Sequence, residues 1–358
     1  MGMSAKTVLL HVVKRLGGFR LARRLTAKGL RIVCYHGIAL ADEHRFRGRL
    51  FMHPHTFDAR MRCLDGLGYP ILPLDDAVRR LYAGTLPPAA IVITFDDGWE
   101  GACTHALPAL RERGIPVTLY VATYYVGKGT QVFNVAVQYL FWRTKVARFE
   151  LPGVADGIGP CDLTDPQQRV RAQNAVLRHG KSLATAEDRQ ALLRTVGAAL
   201  EIDVAELERQ GVMKFAAAQT IGALHRAGVD IQLHAHRHNL FDGTPAMVTR
   251  ELADNRAALS PLTGRSPTHF CYPGGIYTAA MWPTLEALGV ESATTCESGF
   301  NYADTPRYGL RRILDEEGLT DIEFEAELCG LLELWRGLRR RIAPRRPTAA
   351  HAAAERAS

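Results

Sequence analysis

Three short runs of this 358-residue chain hold residue types that could do chemistry together. The first is Thr94-Phe95-Asp96-Asp97-Gly98, two adjacent carboxylates closing an apolar run. Buried carboxylates are costly unless paired or bound to a cation, and strand ends are where α/β folds place their sites. A metal on one carboxylate would leave its neighbour free as a base. The plainer alternative is an acid pair that caps a helix or sits in a loop, as Asp75-Asp76 does in the same chain.

The second run is His234-Ala235-His236-Arg237-His238, three of the chain's 13 histidines within five residues. Neutral imidazole is the commonest protein metal ligand near neutral pH. An extended chain sets all three on one face, whereas a turn brings His234 and His238 together, and the spacing fits either. A solvated polar loop is the bland reading. With an aspartate from elsewhere, two of these histidines make a two-His-one-carboxylate set with open positions. That donor set suits Zn and also admits Co, Ni or Fe. The third run is Phe270-Cys271-Tyr272-Pro273-Gly274-Gly275-Ile276-Tyr277, a strand running into Pro-Gly-Gly. Such a turn exposes backbone N–H groups that can donate to a developing oxyanion, although taken alone it is ordinary turn chemistry.

The elements needed to hold these runs are legible in the patterning. Short apolar strands are expected at 30–35, 90–95, 117–122, 229–234, 268–272 and 290–295. Amphipathic helices are expected at 57–67, 74–83, 106–113, 219–227, 245–259 and 279–288. This alternation is the rhythm of an α/β fold with parallel strands. Residues 131–215 break it, lacking strand signals and reading as a helical insertion with loop-like breaks at Gly153–Pro160 and Thr164–Pro166. A helix is expected over 7–30 and a short strand at Ile71–Pro73.

In this order and spread, T-F-D-D-G, H-x-x-x-H and F-x-Y-P-x-G together resemble the polysaccharide deacetylase family (the NodB homology group, carbohydrate esterase family four). Tyr35-His36-Gly37-Ile38 resembles the Y-H-x-I near the start of many members. Leu107-Pro108-Ala109-Leu110 followed by Gly114-Ile115-Pro116-Val117-Thr118 resembles the segment after their first motif. The likeness covers roughly residues 30–320 and implies a distorted (β/α) barrel, usually of seven parallel strands. It implies Asp96 as general base, Asp97 with His234 and His238 as metal ligands, and the Gly274 N–H as oxyanion donor. His236 is the second-best ligand candidate. Tyr272 and Pro273 would shape the wall behind Gly274, and His36 would approach the site from the first strand as a substrate contact.

Two departures stand out. Cys271 occupies the place where many members carry an arginine that braces the catalytic aspartate. Tyr308-Gly309-Leu310-Arg311-Arg312-Ile313 resembles the later segment that supplies it in others, with Arg312 the match. The late Leu-His motif that provides a general acid is not visible. No histidine lies between His269 and His351, and Leu314-Asp315-Glu316-Glu317 stands in its place.

Composition sets the remaining bounds. The chain has 44 Lys+Arg and 37 Asp+Glu, a formal charge of +7, and an ordinary globular 47% of apolar residues. The charge is uneven. Residues 1–31 hold eight basic residues and no acid, 336–346 hold six arginines and no acid, and 32–335 hold 29 basic and 36 acidic residues. A mildly acidic body argues against a nucleic-acid-binding domain, while basic ends suit peripheral contact with an anionic membrane or serve as solvated tails. Seven scattered cysteines without C-x-x-C spacing, and no secretory signal pattern, point to a cytoplasmic protein, any peripheral membrane contact being at the inner membrane face. The expected organisation is a basic helical segment at 1–31, a deacetylase-like domain over 32–330 and an Arg-rich tail at 331–358. The expected function is metal-dependent removal of an acetyl group from an N-acetylated sugar of a polysaccharide, oligosaccharide or glycolipid. The alternatives are a deacylase or deformylase of a lipid-linked sugar and a non-catalytic carbohydrate-binding member of the same fold.

Overall fold

Seven short strands, nearly all buried along their length, build the centre of the protein: β1 (Arg31–Tyr35), β2 (Ile91–Phe95), β3 (Thr118–Val121), β4 (Asp230–Leu233), β5 (His269–Cys271), β6 (Ser292–Ser298) and β7 (Leu310–Leu314). Each pairs in parallel with the next in sequence, and β1 pairs with both β2 and β7, so the sheet closes into a barrel. These features come from a computed structural model that describes residues 4–152, 154, 158–240 and 243–342. The closed seven-stranded parallel barrel with helices around it is the architecture expected from the motifs. β7 had no strand signal of its own in the patterning and emerges only as the closing partner of β1 and β6.

Closure explains why the strands read as continuous apolar runs: both faces are covered. Alternate residues go inward and outward. Ile32, Val92, Tyr120, Cys271 and Leu310 share an inner cluster, whereas Val33, Ile91, Ile93, Phe95 and Phe270 belong to the outer core under the helices. Leu74, Ala77, Val78 and Leu81 of the helix Leu74–Ala83 join the inner cluster, so this helix seals the end of the barrel where the strands begin. Toward the strands' C-terminal ends the buried residues turn polar: Thr94, Asp96, Gln232, His234 and Arg312. The strand starts also bury polar groups, Thr118, His269 and Ser292 among them, but the adjacent carboxylates and the paired imidazoles gather at the C-terminal ends.

Three expectations are corrected. The N-terminal segment is two helices, Ala5–Arg15 and Gly18–Leu25, because Gly17 sits at φ 81°, in the left-handed region. Within 131–215 the helices Phe133–Arg143, Pro166–Ser182, Ala186–Ala199 and Val204–Arg209 are joined by an antiparallel ribbon of Arg148–Leu151 with Ile158–Asp162. Only Phe149 and Leu151 of the first ribbon strand are buried, an alternation too short to register as a strand signal. Ile71 forms a single bridge to Ile91 and no longer strand.

The insertion is tied to the first motif. The Ala216 N–H donates to the Gly98 carbonyl at 2.8 Å and the Glu100 N–H to the Lys214 carbonyl at 2.9 Å. Trp99 meets Phe215 edge to face at 4.6 Å. Gly101 makes the next close approach, since a Cβ there would lie 2.0 Å from the Ile38 carbonyl oxygen, a backbone atom. Gly101→Ala is therefore expected to cost about 1–3 kcal/mol through overpacking. Thermal unfolding should show a midpoint lowered by a few degrees. An unchanged midpoint would mean that the two backbones are not held this close.

Candidate active site

The two carboxylates of the first motif meet in the barrel mouth because the chain leaves β2 abruptly. Successive residues on a strand point to opposite faces. Asp97 instead takes φ 73° and Gly98 φ 99°. A non-glycine residue in the left-handed region is uncommon, and here it turns the Asp97 side chain toward the same mouth that Asp96 faces. The turn is held by the Gly98 N–H on the Asp96 carbonyl at 2.9 Å and the Ala122 N–H on the Asp97 carbonyl at 3.1 Å.

The neighbours then acquire opposite partners. Asp96, 1% exposed, receives both terminal nitrogens of Arg312 at 2.8 Å each. Arg312 comes from β7, is fully buried, and also donates through Nε to the Thr295 carbonyl at 2.8 Å. Burial alone would raise the Asp96 carboxyl, but the Arg312 charge holds it well below the usual carboxylate range. Two thiols also approach its Oδ2, Cys271 at 3.4 Å and Cys34 at 3.7 Å. Burial pushes the Cys34 thiol up, so it stays protonated and donates.

Asp97, 4% exposed, faces imidazoles. Its Oδ1 lies 3.1 Å from Nε2 of His234 and 3.1 Å from Nε2 of His238, and its Oδ2 accepts from the Trp99 indole at 2.7 Å. Burial again works to raise its pKa, but His238 and then His234 hold it well below the ordinary value. His234 Nδ1 lies 2.8 Å from the Cys271 carbonyl, an acceptor only, so Nδ1 carries a proton, and Nε2, turned to Asp97, is the nitrogen that would give up its own proton to a cation. The backbone after β4 curls through left-handed Ala235 (φ 58°) and His238 (φ 56°), bringing the His234 and His238 rings to 4.9 Å. The turn, rather than the extended strand, is therefore the conformation of the histidine run. His236 points away and meets Thr123 Oγ1 through Nδ1 at 2.9 Å, outside the group.

These three side chains fit a divalent cation. Their donor atoms lie within 4.8 Å of one another. A tetrahedral site with bonds near 2 Å sets its ligand atoms about 3.3 Å apart, close to the 3.1 Å from Asp97 to each histidine. Asp96 belongs to other candidate groups, with Cys34 and His36 or with His234 and Cys271. Both of its oxygens are already held by Arg312, which reserves it for another task. A separate group of Asp75, His269 and Glu291 includes two exposed carboxylates and lies apart from the mouth.

Around this centre, Gly274 (φ 60°) and Gly275 (φ 69°) bend the loop after β5. A Cβ on Gly275 would sit 2.6 Å from the Cys296 Cβ and 2.9 Å from its backbone nitrogen, so only glycine fits. Gly274 is exposed, with buried Tyr272 and Pro273 behind it. The Tyr272 hydroxyl donates to the Tyr308 carbonyl at 3.0 Å, and its ring stacks on Tyr277. His36 Nε2 is 3.7 Å from Asp96 Oδ2, and burial lowers its pKa, favouring the neutral ring. Asp315, Glu316 and Glu317, in place of a late histidine, are engaged elsewhere. Asp315 pairs with buried Arg60, Glu316 with Arg49, and Glu317 accepts from the His53 N–H and the Thr56 hydroxyl.

Two supporting residues escaped the sequence reading. Trp99 fixes Asp97 from two residues on. Asn255, fully buried on the helix Pro245–Thr263, accepts the His234 N–H at 3.0 Å and donates to Val121 and Thr123. The only available signal was a polar residue on the apolar face of that helix.

A family model described as polysaccharide deacetylase matches residues 83–141 and 202–293. The matched segments carry Asp96, Asp97, His234, His238 and Gly274, while most of the insertion falls between them. Over these two segments the chain matches the polysaccharide deacetylase family. It is accordingly a hydrolase of the deacetylase type, acting on carbohydrate. Deacetylase PplD from Streptococcus pyogenes, in complex with acetate, is 17% identical with a TM-score of 0.54, over 86% of this chain and 98% of that one. IcaB from Ammonifex degensii is 16% identical with a TM-score of 0.53, over 84% and 96%. The de-N-acetylase from Aggregatibacter actinomycetemcomitans is 11% identical with a TM-score of 0.51, over 83% and 99%. At these identities the likeness is one of fold. No curated protein matches the chain.

The buried Asp96–Arg312 pair gives a direct test. Removing one partner of a buried ion pair strands the other charge and costs about 3–5 kcal/mol. Arg312→Met should show that loss in denaturant unfolding, and Arg312→Met combined with Asp96→Asn should recover most of it. Additive losses in the double variant would contradict the pairing.

Proposed function

We propose that the protein is a metal-dependent de-N-acetylase of an N-acetylated sugar, in a polysaccharide, oligosaccharide or glycolipid. The observation that carries this reading is the division of labour between two adjacent aspartates. Asp96 is bound on both oxygens by Arg312, and Asp97 shares one oxygen with two imidazoles. In this reading Asp97, His234 and His238 hold one divalent metal, Zn for preference, and Co, Ni or Fe fit the same donors. When bound, that metal supplies Lewis acidity and an activated water.

The chain's own residues do the rest. Asp96, ionised and held by Arg312, accepts the proton released as water adds to the acetyl carbonyl. The Gly274 N–H donates to the oxygen on which negative charge grows, with Tyr272 and Pro273 fixing that loop from behind. The protonated Asp96 then returns its proton to the departing sugar nitrogen. His36, neutral and facing Asp96, contacts the bound sugar. Arg312 acts through Asp96, fixing its orientation and its charge.

The same reading assigns the catalytic unit to residues 32–330. Residues 131–215 would form one wall of the substrate channel, since their ends are bonded to the loop after Asp97. We place the protein in the cytoplasm, where all seven cysteines remain free thiols. An acylated or formylated sugar carried on lipid is the second reading of the substrate. The basic terminal helices, with their exposed apolar residues, favour it.

Acetate release from N-acetylated oligosaccharides tests the proposal. Release should stop on chelation and return when a divalent transition metal is restored. Asp97→Ala and His234→Ala should each bind less than a tenth of the metal held by wild type, by about the margin expected when a ligand of a three-residue site is lost. Release of formate or a longer acid instead would move the substrate to the second reading. Full activity in metal-free protein would overturn the metal assignment.

A further inference from the structure

Among the described residues, eight of the eleven large apolar side chains that are strongly exposed lie on three helices, Ala5–Arg15, Gly18–Leu25 and Leu331–Ile342, and a ninth, Leu16, caps the first. On the first helix Leu10 is buried and Val13 packs beside it against Ile322, Ala326 and Cys329. Val8, Leu9, Val12 and Leu16 are left outside, and Leu16 is 81% exposed. Their i, i+4, i+8 spacing forms a second apolar stripe, on the helix face turned from the protein. Leu21 and Leu25, one turn apart, are exposed on the second helix, whose other side buries Phe19 and Ala22. Leu334, Trp335 and Leu338 are exposed on the third, and the second helix packs against both the first and the third. Exposed apolar residues gathered on neighbouring helices mark an interaction surface.

Its charge selects the partner. The rim is cationic: Arg15, Arg20, Arg24, Lys28 and Arg339 are exposed, and the Arg339 guanidinium lies over the Trp335 ring at 5.3 Å. Residues 1–31 contain no acid at all. Beside these residues a cavity of about 600 Å³ opens between the first two helices and the end of Pro54–Leu67; Lys14 in its lining is paired with Glu325, while Arg15, Arg20 and Arg23 leave it net cationic. A second copy docked through the same face would set cation against cation. A surface that is apolar within and anionic at its headgroups complements both features. No described helix is long and apolar enough to cross a membrane.

We infer that this three-helix face docks the protein onto an anionic lipid bilayer, with the apolar stripe sunk to the acyl boundary and the arginine-lined cavity against headgroup phosphates. The helix Gly18–Leu25 leads into the start of β1, so the docked face lies toward the end of the barrel where the strands begin. The catalytic mouth, at the opposite strand ends, stays open to solvent. This inference does not depend on the hydrolase assignment.

The test is co-sedimentation of the full chain with vesicles of phosphatidylcholine alone or mixed with phosphatidylglycerol, at low and high salt. Binding should need the anionic lipid and weaken with salt. Leu9→Glu with Leu16→Glu, and separately Arg20→Glu with Arg24→Glu, should each lower partitioning by at least about tenfold, as expected for about 1 kcal/mol per basic residue near the surface. Both pairs are exposed, so thermal midpoint and acetate release from soluble oligosaccharide should not change. Equal binding to neutral vesicles, or undiminished binding of both variants, would overturn the inference. So would gel filtration showing a dimer that Leu9→Glu with Leu16→Glu dissociates, because the face would then be covered by a second copy.

Discussion

The buried ion pair between Asp96 and Arg312 is the interaction on which the rest of the site depends. It joins the end of β2 to β7 across the barrel interior, with both side chains almost fully out of water. A carboxylate in such a place would normally take up a proton. Arg312 keeps it charged, and the bidentate geometry fixes its plane. With Asp96 so committed, Asp97 is left to the imidazoles, and two adjacent residues of one type acquire different chemistry from their surroundings. The pair also requires closure: Arg312 can reach Asp96 only because β7 returns to β1, which lies beside β2.

Around that pair the supporting contacts are mostly backbone. The Cys271 carbonyl sets the His234 tautomer, the Thr295 carbonyl holds Arg312, and Asn255 links the His234 N–H to β3. These groups come from strands whose register is fixed by the barrel. This explains how Cys271 serves where others of the family carry an arginine. Its carbonyl orients a histidine and its thiol leans on Asp96, while the positive charge arrives from β7.

Much of this was legible in the sequence because motif residues cluster at strand ends. The alternation of apolar runs and amphipathic helices led to the parallel α/β architecture, and the ordered motifs led to Asp96, Asp97, His234, His238 and Arg312. What stayed hidden depended on backbone conformation or distant contact. The turn through left-handed Ala235 and His238 that sets the His238 ring beside His234 is not announced by residue type; spacing left it open, and only the H-x-x-x-H resemblance favoured His238 over His236. Asp97 in the same region was equally silent. The break at Gly17 could have been anticipated from its glycine. The ribbon inside the insertion is too short and too exposed to carry a pattern. Asn255 and Trp99 take their roles from the fold, and neither stands in a motif that would single it out.

The two ends of the barrel carry different physical characters. At one, carboxylates, imidazoles and exposed glycine backbone converge; at the other, the helix Leu74–Ala83 packs its apolar face onto the inner cluster. The central claim concerns the first end, that Asp96 serves chemistry and Asp97 serves metal. It is tested most directly by measuring bound metal and acetate release on one sample of Asp96→Asn. The account predicts metal content equal to wild type and turnover lower by at least about a hundredfold, the range for loss of a general base. Full turnover, or loss of the metal along with the charge, would contradict it.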